Sequence, residues 1–367
     1  MIRKILYIIL VCNLFSANIN LIVTTNNNGE IDPCGWPKKP LGGLARKATA
    51  IDEIKSSGKN PIILDSGNLF YKNKQIDPGI ALETAKINAD VIVDSYNLIG
   101  CDAFSPGVND FAAGYENFMS LYKKSDFDYI SCNIYYKSNN SKLLFEPYKI
   151  IKRSGLKIGV VGLASIFESD GIVVSEPIEE LGKIIDEVDA KTDFIILLFN
   201  SNDQDLNNLY DRNFNIDMII KSNKGHTKSR DGGSNIPTYI AGNRGKVLYD
   251  FSLTIEDLEL DLVDVAWCNN TVNRVNGRLK KMKKGDAAAD LLTLYKNDPT
   301  TLNRIKNYYK QLDNAEYLLA NSVNKIEFNK IELNKNIFDK PSVLKIVDEG
   351  KRRIRDLQGD LLTPYAP

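Results

Sequence analysis

Short apolar runs alternating with helical stripes constrain this chain more than any other feature. Leu21–Thr25 and Ile62–Asp65 read as strands. Between them Leu44, Ala48, Ile51 and Ile54 recur at helical spacing, behind a loop loosened by Gly42 and Gly43. A longer helix over 81–99 carries Ile87, Val91 and Tyr96 on one stripe and ends at Gly100. Further strands fall at Tyr129–Asn133, Tyr148–Lys152, Lys157–Leu163, Phe194–Phe199 and Asp217–Lys221. Thr238–Ala241 and Val247–Ile255 read as a hairpin turning through Gly242, Asn243, Arg244 and Gly245. Strands that alternate with helices build an α/β architecture.

With 367 residues the chain can bury a full core in one large domain or two smaller ones. Its 47 Lys and Arg balance 47 Asp and Glu, so no net field draws it to nucleic acid, and no such partner is expected. Arg3 and Lys4 precede an apolar run, Ile5 to Leu14, followed by the small residues Ser16 and Ala17. This pattern reads as an export signal over 1–19, too short to span a bilayer, which needs about 20 residues. The expected destination is the periplasm or cell envelope, with no transmembrane span once the signal is cleaved. Cys12 lies in the signal, where bulky Val11 argues against lipidation. Cys34, Cys101, Cys132 and Cys268 leave three disulfide pairings open, with plain thiols as the alternative.

From about Asn273 the character changes to charged helix, broken at Gly285 and Pro299. Arg278, Lys280, Lys281, Lys283 and Lys284 cluster there, as on a solvated face. Leu291, Leu294, Tyr295, Leu302, Ile305, Tyr308, Tyr309 and Leu312 suggest a helical hairpin packed on itself, with a protein partner as the alternative. A strand over Lys325–Leu333 and a helix over Pro341–Leu357 close the chain.

Several blocks carry a family likeness when taken in order: Leu21-Ile-Val-Thr-Thr-Asn-Asn-Asn-Gly29, Asp32-Pro-Cys-Gly35, Leu41-Gly-Gly-Leu-Ala-Arg-Lys-Ala-Thr-Ala-Ile51, Leu64-Asp-Ser-Gly-Asn-Leu-Phe70 and Gly107-Val-Asn-Asp-Phe-Ala-Ala-Gly114. Ile158-Gly-Val-Val-Gly-Leu163, Ile195-Ile-Leu-Leu-Phe-Asn200 and Gly242-Asn-Arg-Gly-Lys-Val-Leu248 follow. Together they resemble the calcineurin-type metallophosphoesterase domain of bacterial 5'-nucleotidases, over roughly residues 20 to 256. The resemblance implies a four-layer αββα sandwich with a C-terminal helical insert. The expected division is 20–256 for the phosphoesterase-like domain, 257–324 for the insert, and 325–367 for a closing strand and helix. Nothing after Glu256 resembles the nucleobase-stacking domain of full-length relatives.

The same resemblance implies two divalent metals and a metal-bound hydroxide that attacks phosphate esters. Here its motifs are substituted. The positions of the Asp-x-His motif fall on Asn26 and Asn28, and that of the metal-bridging aspartate on Asn68. In the Gly-Asn-His-Glu motif, the metal-binding Asn falls on Val108 and the catalytic His on Asn109. The His ending a later strand falls on Asn200. The final Gly-His-x-His motif lands on Asn223 and Gly225 without a gap, or on His226 and Lys228 with one.

Two divalent ions about 3.5 Å apart repel by roughly 19 kcal/mol at an effective dielectric near 20. Neutral amides do not offset that repulsion, so the sequence leads to an expectation of no cofactor and of a catalytically impaired binding or scaffold module. About a tenth of the chain is Asn, yet bias alone does not put five at aligned ligand positions. Asp65, Asp110 and Asp203 survive near the site. The alternative is an active phosphoesterase with a rearranged site built from Asp65, Asp110 and His226, the only histidine in the chain.

Overall fold

The structure, a computed structural model, describes residues 16–35, 38–222 and 236–362. The expected export signal and Cys12 lie almost wholly outside these residues. Strand β1 (Ala17–Thr24) begins inside the range expected for that signal, and Ala17 and Ile19 are buried. Helix α1 (Leu44–Ser56) follows the short strands β2 (Pro33–Cys34) and β3 (Leu41–Gly42). Next come β4 (Ile62–Asp65), α2 (Ile80–Ile99), β5 (Ala103–Phe104), a 3₁₀ turn (Val108–Phe111) and α3 (Tyr115–Lys124). Strands β6 (Ile134–Tyr136), β7 (Asn139–Leu143), β8 (Tyr148–Arg153), β9 (Leu156–Ala164) and β10 (Ile172–Val174) precede α4 (Pro177–Asp189). The series continues with β11 (Phe194–Asn200), α5 (Asp203–Tyr210), β12 (Met218–Ser222), β13 (Thr238–Tyr239), β14 (Val247–Ile255) and β15 (Leu262–Asp264). Helices α6 (Val265–Met282), α7 (Leu291–Leu294) and α8 (Pro299–Ala320), strand β16 (Asn324–Glu332) and α9 (Pro341–Leu362) complete it.

Two sheets lie face to face. One has the order β15-β16-β14-β1-β4-β5, with β1 parallel to β4 and antiparallel to β14. The other has the order β13-β12-β11-β9-β8, parallel except at β8–β9. Leu21, Val23, Leu64 and Phe251 of the first sheet pack against Val160, Ile196, Leu198 and Ile220 of the second in one apolar cluster. Alternate residues face outward: Ile22 and Ile63 meet α1, α2 and α9, while Val161, Ile195 and Leu197 meet α4 and α5. Strands covered on both faces need apolar side chains throughout, hence the unbroken runs in β9 and β11. The result is the four-layer αββα sandwich with a C-terminal helical insert.

Three expectations are corrected. Thr238 and Val247 do not open a hairpin: β13 pairs with β12 in one sheet and β14 with β1 in the other. The Gly242–Gly245 segment crosses between sheets, with Gly242, Arg244 and Gly245 all at positive φ. Tyr129–Asn133 forms only isolated bridges, Phe104 to Tyr129 and Ile130 to Glu146, because it bridges the layers at a sheet edge. The segment expected as helical insert also contributes β15, whose Leu262, Val263 and Asp264 pair with β16. All four described cysteines beyond Cys12 are unbonded thiols.

Candidate functional site

Asn26 follows β1, Asn68 follows β4, Asn109 sits in the 3₁₀ turn after β5, and Asn200 ends β11. All four therefore stand at the carboxyl ends of parallel strands, where open α/β sheets leave a crevice. Asn68, Val108, Asn109 and Asn200 line a cleft of about 690 Å³, completed by Lys74, Phe111, Ser165, Phe167 and Glu168 among others.

Local backbone explains part of this asparagine pattern. Asn26, Asn28 and Asn68 have φ of 52°, 58° and 53°, the left-handed region that Asn and Asp tolerate better than other side chains. Gly67 precedes Asn68 at φ 97°, and a Cβ there would stand 2.5 Å from the Ser105 carbonyl oxygen. Gly107 has no such conformational need, but a Cβ on it would meet the Asn200 amide at 2.3 Å. Its bareness lets that amide lie across the loop.

The amides are held by one another and by neighbouring groups. Asn68 Nδ2 donates to Asn26 Oδ1 at 3.0 Å, and Asn68 Oδ1 accepts the Asn109 backbone N–H at 3.2 Å. Asn109 Nδ2 donates to the Lys72 carbonyl at 3.0 Å. Asn200 Oδ1 accepts the Val108 N–H at 3.3 Å, and its Nδ2 donates to Ser222 Oγ at 2.8 Å. The Ser222 hydroxyl in turn donates to the Ser66 carbonyl. Asn28 Nδ2 reaches Asn243 Oδ1 at 2.8 Å. Loops from both sheets are thus tied by neutral groups.

Two of the surviving carboxylates, Asp65 and Asp110, face inward, while Asp203 is exposed. Asp110 accepts four backbone N–H groups: Gly107 and Asn68 on Oδ2 at 2.8 and 2.9 Å, Leu69 and Phe70 on Oδ1 at 2.7 and 2.9 Å. Complete burial pushes its carboxyl up to about 7, while the N–H donors pull the other way. Asp65 accepts Thr24 Oγ1 at 2.7 Å, Tyr96 Oη at 2.8 Å and the Gly67 N–H at 3.0 Å. Buried Lys47 donates to Thr24 Oγ1 at 3.0 Å and to the Tyr96 hydroxyl, 4.2 Å from whose ring centroid its Nζ lies. Burial pushes Asp65 up and Lys47 down, and each one's charge opposes the other's shift. Asp203, at the first turn of α5, pairs with buried Lys221 at 2.8 Å.

Sequence reasoning missed Lys47, Thr24 and Tyr96 as a polar unit. A signal was present: Lys47 falls on the stripe of Leu44, Ile51 and Ile54, where a charge is buried unless the stripe ends. Asn223, Gly225, His226 and Lys228 lie outside the described residues. Neither Asp65 nor Asp110 lines the cleft.

Among the described residues the donor set does not fit a pair of divalent ions. The rim groups Asn26, Asn68, Asn109 and Asn200 are neutral amides, Val108 contributes no side-chain donor, and both oxygens of Asp65 and of Asp110 are already engaged. Among the described residues no group of three or more His, Cys, Asp and Glu gathers as a metal-binding cluster.

Comparison with known proteins places this geometry. No family model matches the chain. It is 31% identical over 161 residues to a 5'-nucleotidase of Vibrio cholerae, covering 41% of this chain and 28% of that protein. It is 30% identical over 196 residues to protein UshA of Salmonella pullorum, covering 53% and 32%. The chain thus spans about a third of the length of these relatives. Among solved structures, the calcineurin-like phosphoesterase YfkN of Bacillus subtilis superposes with a TM-score of 0.60 at 14% identity, over 94% of this chain and 99% of that one. A 5'-nucleotidase precursor of Thermus thermophilus gives 0.53 at 20% identity, over 66% and 52%.

These matches correct one expectation. The substituted motifs led to an expectation of no cofactor, but the Vibrio relative is a 5'-nucleotidase and the fold is that of a calcineurin-like phosphoesterase, a metal-dependent class. A metal is therefore the cofactor of the class of proteins that this chain resembles. The α/β core, its crevice and these relatives together make the chain similar in sequence, over part of its length, to 5'-nucleotidases, and similar in fold to a calcineurin-like phosphoesterase.

Proposed function

We propose that this chain is an exported 5'-nucleotidase-like phosphoesterase homologue whose catalysis is impaired and whose cleft serves as a binding module. One observation carries the reading. Asn109, aligned with the family's catalytic histidine, presents an amide that does not titrate near neutral pH, and its Nδ2 is already given to the Lys72 carbonyl. Proton transfer to a leaving group needs a side chain with a pKa near the working pH. Asp110, whose family role is to orient that histidine, instead gathers four backbone N–H groups. The cleft that remains offers amides, Ser165 and the adjacent rings of Phe111 and Phe167, whose centroids are 5.4 Å apart. With Lys74 and Glu168 balancing each other at its edge, that lining suits a polar ligand without net charge and with one apolar face.

The test is hydrolysis of nucleoside monophosphates and of bis(p-nitrophenyl) phosphate by the purified chain, with manganese, magnesium, zinc and calcium each added, alongside elemental analysis. Turnover no greater than that of an Asn109→Ala variant is expected. Turnover that a chelator abolishes and Asn109→Ala reduces would overturn the proposal and favour a rearranged working site.

A further inference from the structure

The neutrality of the whole chain conceals a separation of charge. Residues 274–310 carry ten Lys and Arg against three Asp and Glu, so the remainder is acidic by the same excess. This basic stretch is the distal part of an arm made by α6 and α8. The arm is rooted where α6 leaves β15 and α8 returns to β16. Val263, Cys268 and Ala315 pack at its base, and Val275, Leu279, Leu291 and Ile305 pack farther out. With 18 residues α6 alone is about 27 Å long.

The far end combines two features. Lys280, Lys281, Lys283, Lys284 and Lys296 surround it, and among the described residues none of the ten basic side chains of the stretch is in an ion pair. The three acids serve the backbone instead: Asp286 accepts the Ala288 N–H, Asp290 caps α7 and Asp298 caps α8. On α7 only Leu291 is buried, while Leu292 and Leu294 stay 41% and 46% exposed beside the lysines.

We propose that this tip docks the protein on an anionic lipid surface, its lysines on the headgroups and Leu292 and Leu294 in the interfacial layer. Charge complementarity selects an anionic partner. The exposed leucines select a bilayer over a nucleic acid or other soluble polyanion, which gains nothing from them. Lysines near such a surface each contribute about a fivefold gain in partitioning, and exposed leucines add interfacial burial. No helix among the described residues is long and apolar enough to cross a membrane, so the contact is peripheral.

Flotation of the full chain with phosphatidylcholine vesicles, with and without about one third phosphatidylglycerol, tests the proposal. Binding to the anionic vesicles only is expected, weakening as salt rises. Replacing Lys280, Lys281, Lys283 and Lys284 with Gln should lower it by about two orders of magnitude or more. Leu292→Ser with Leu294→Ser should lower it several-fold. All six positions are exposed or half-buried at the arm's end, and unchanged thermal midpoints would show the fold intact. Equal binding to both vesicle types, or none to either, overturns the proposal. So does heparin binding that matches vesicle binding and ignores the leucine changes.

Discussion

Two polar clusters lie within a few residues of each other at the carboxyl ends of the strands, and they are built on opposite principles. Beneath the cleft, ionisable groups are kept and fully enclosed: Lys47 with Asp65 through Thr24 and Tyr96, and Asp110 within four N–H groups. At the rim, where the family resemblance implies charged metal ligands, the side chains are neutral amides bound to one another and to neighbouring backbone and hydroxyl groups. The difference teaches that this fold retains ionisable groups where they hold loops together. Asp110 joins the loop after β4 to the turn after β5 through four bonds, beside the two that Asn109 makes to Asn68 and Lys72.

The sharpest way to break the comparison is to remove an enclosed charge. Asp110→Ala strands four buried N–H donors, each worth about 1–3 kcal/mol when unpaired. Urea unfolding should show a loss of about 4 kcal/mol or more, and a loss near that of a surface substitution would refute the hub role. Lys47→Met leaves Asp65 buried without its cation and should cost about 3–5 kcal/mol. Adding Asp65→Asn should recover much of it, a coupling that a double-mutant cycle reads directly.

A rim substitution should cost less. Asn68→Asp removes the donor to Asn26 Oδ1 and sets a carboxylate against that oxygen, for a loss of about 1–3 kcal/mol. Because the new carboxylate supplies an anionic ligand where the resemblance implies one, manganese should raise the melting temperature of this variant more than that of the parent. Equal shifts in both would separate the position from any metal site.

The smallest effect is on pH dependence. Burial raises Asp217 to about 6, from an ordinary 3.8, and Asp110 to about 7. Between these values the folded state holds protons that the unfolded chain has released, so stability from these groups is complete below about pH 4 and is lost as pH rises through about 6 to 7. Asp217→Asn keeps an acceptor for the Ile195 N–H and should flatten the decline in melting temperature over that range.

Much of the sandwich was legible in the chain itself. Continuous apolar runs at Ile62–Asp65, Lys157–Leu163 and Phe194–Phe199 mark strands covered on both faces, and these became β4, β9 and β11. Sheet membership was not legible. Val247–Ile255 reads the same whether it turns back on Thr238 or crosses to β1, because local pattern records burial and not partner. In the cleft, the asparagines could be read as substituted ligand positions, but not as a connected set. The string from Asn26 through Asn68 to Asn109 depends on positions 41 and 42 residues apart being brought within 3.2 Å.

The order of elements, the α/β class, the amide character of the rim and the basic stretch after Asn273 were settled by the residues alone, since periodicity and side-chain chemistry are local properties. Which carboxylates turn inward, which amides meet, and that the lysines gather with two bare leucines at the end of an arm were decided by the tertiary structure. Those facts arise from packing the two sheets and the helices that leave them, and packing relates residues far apart in the chain.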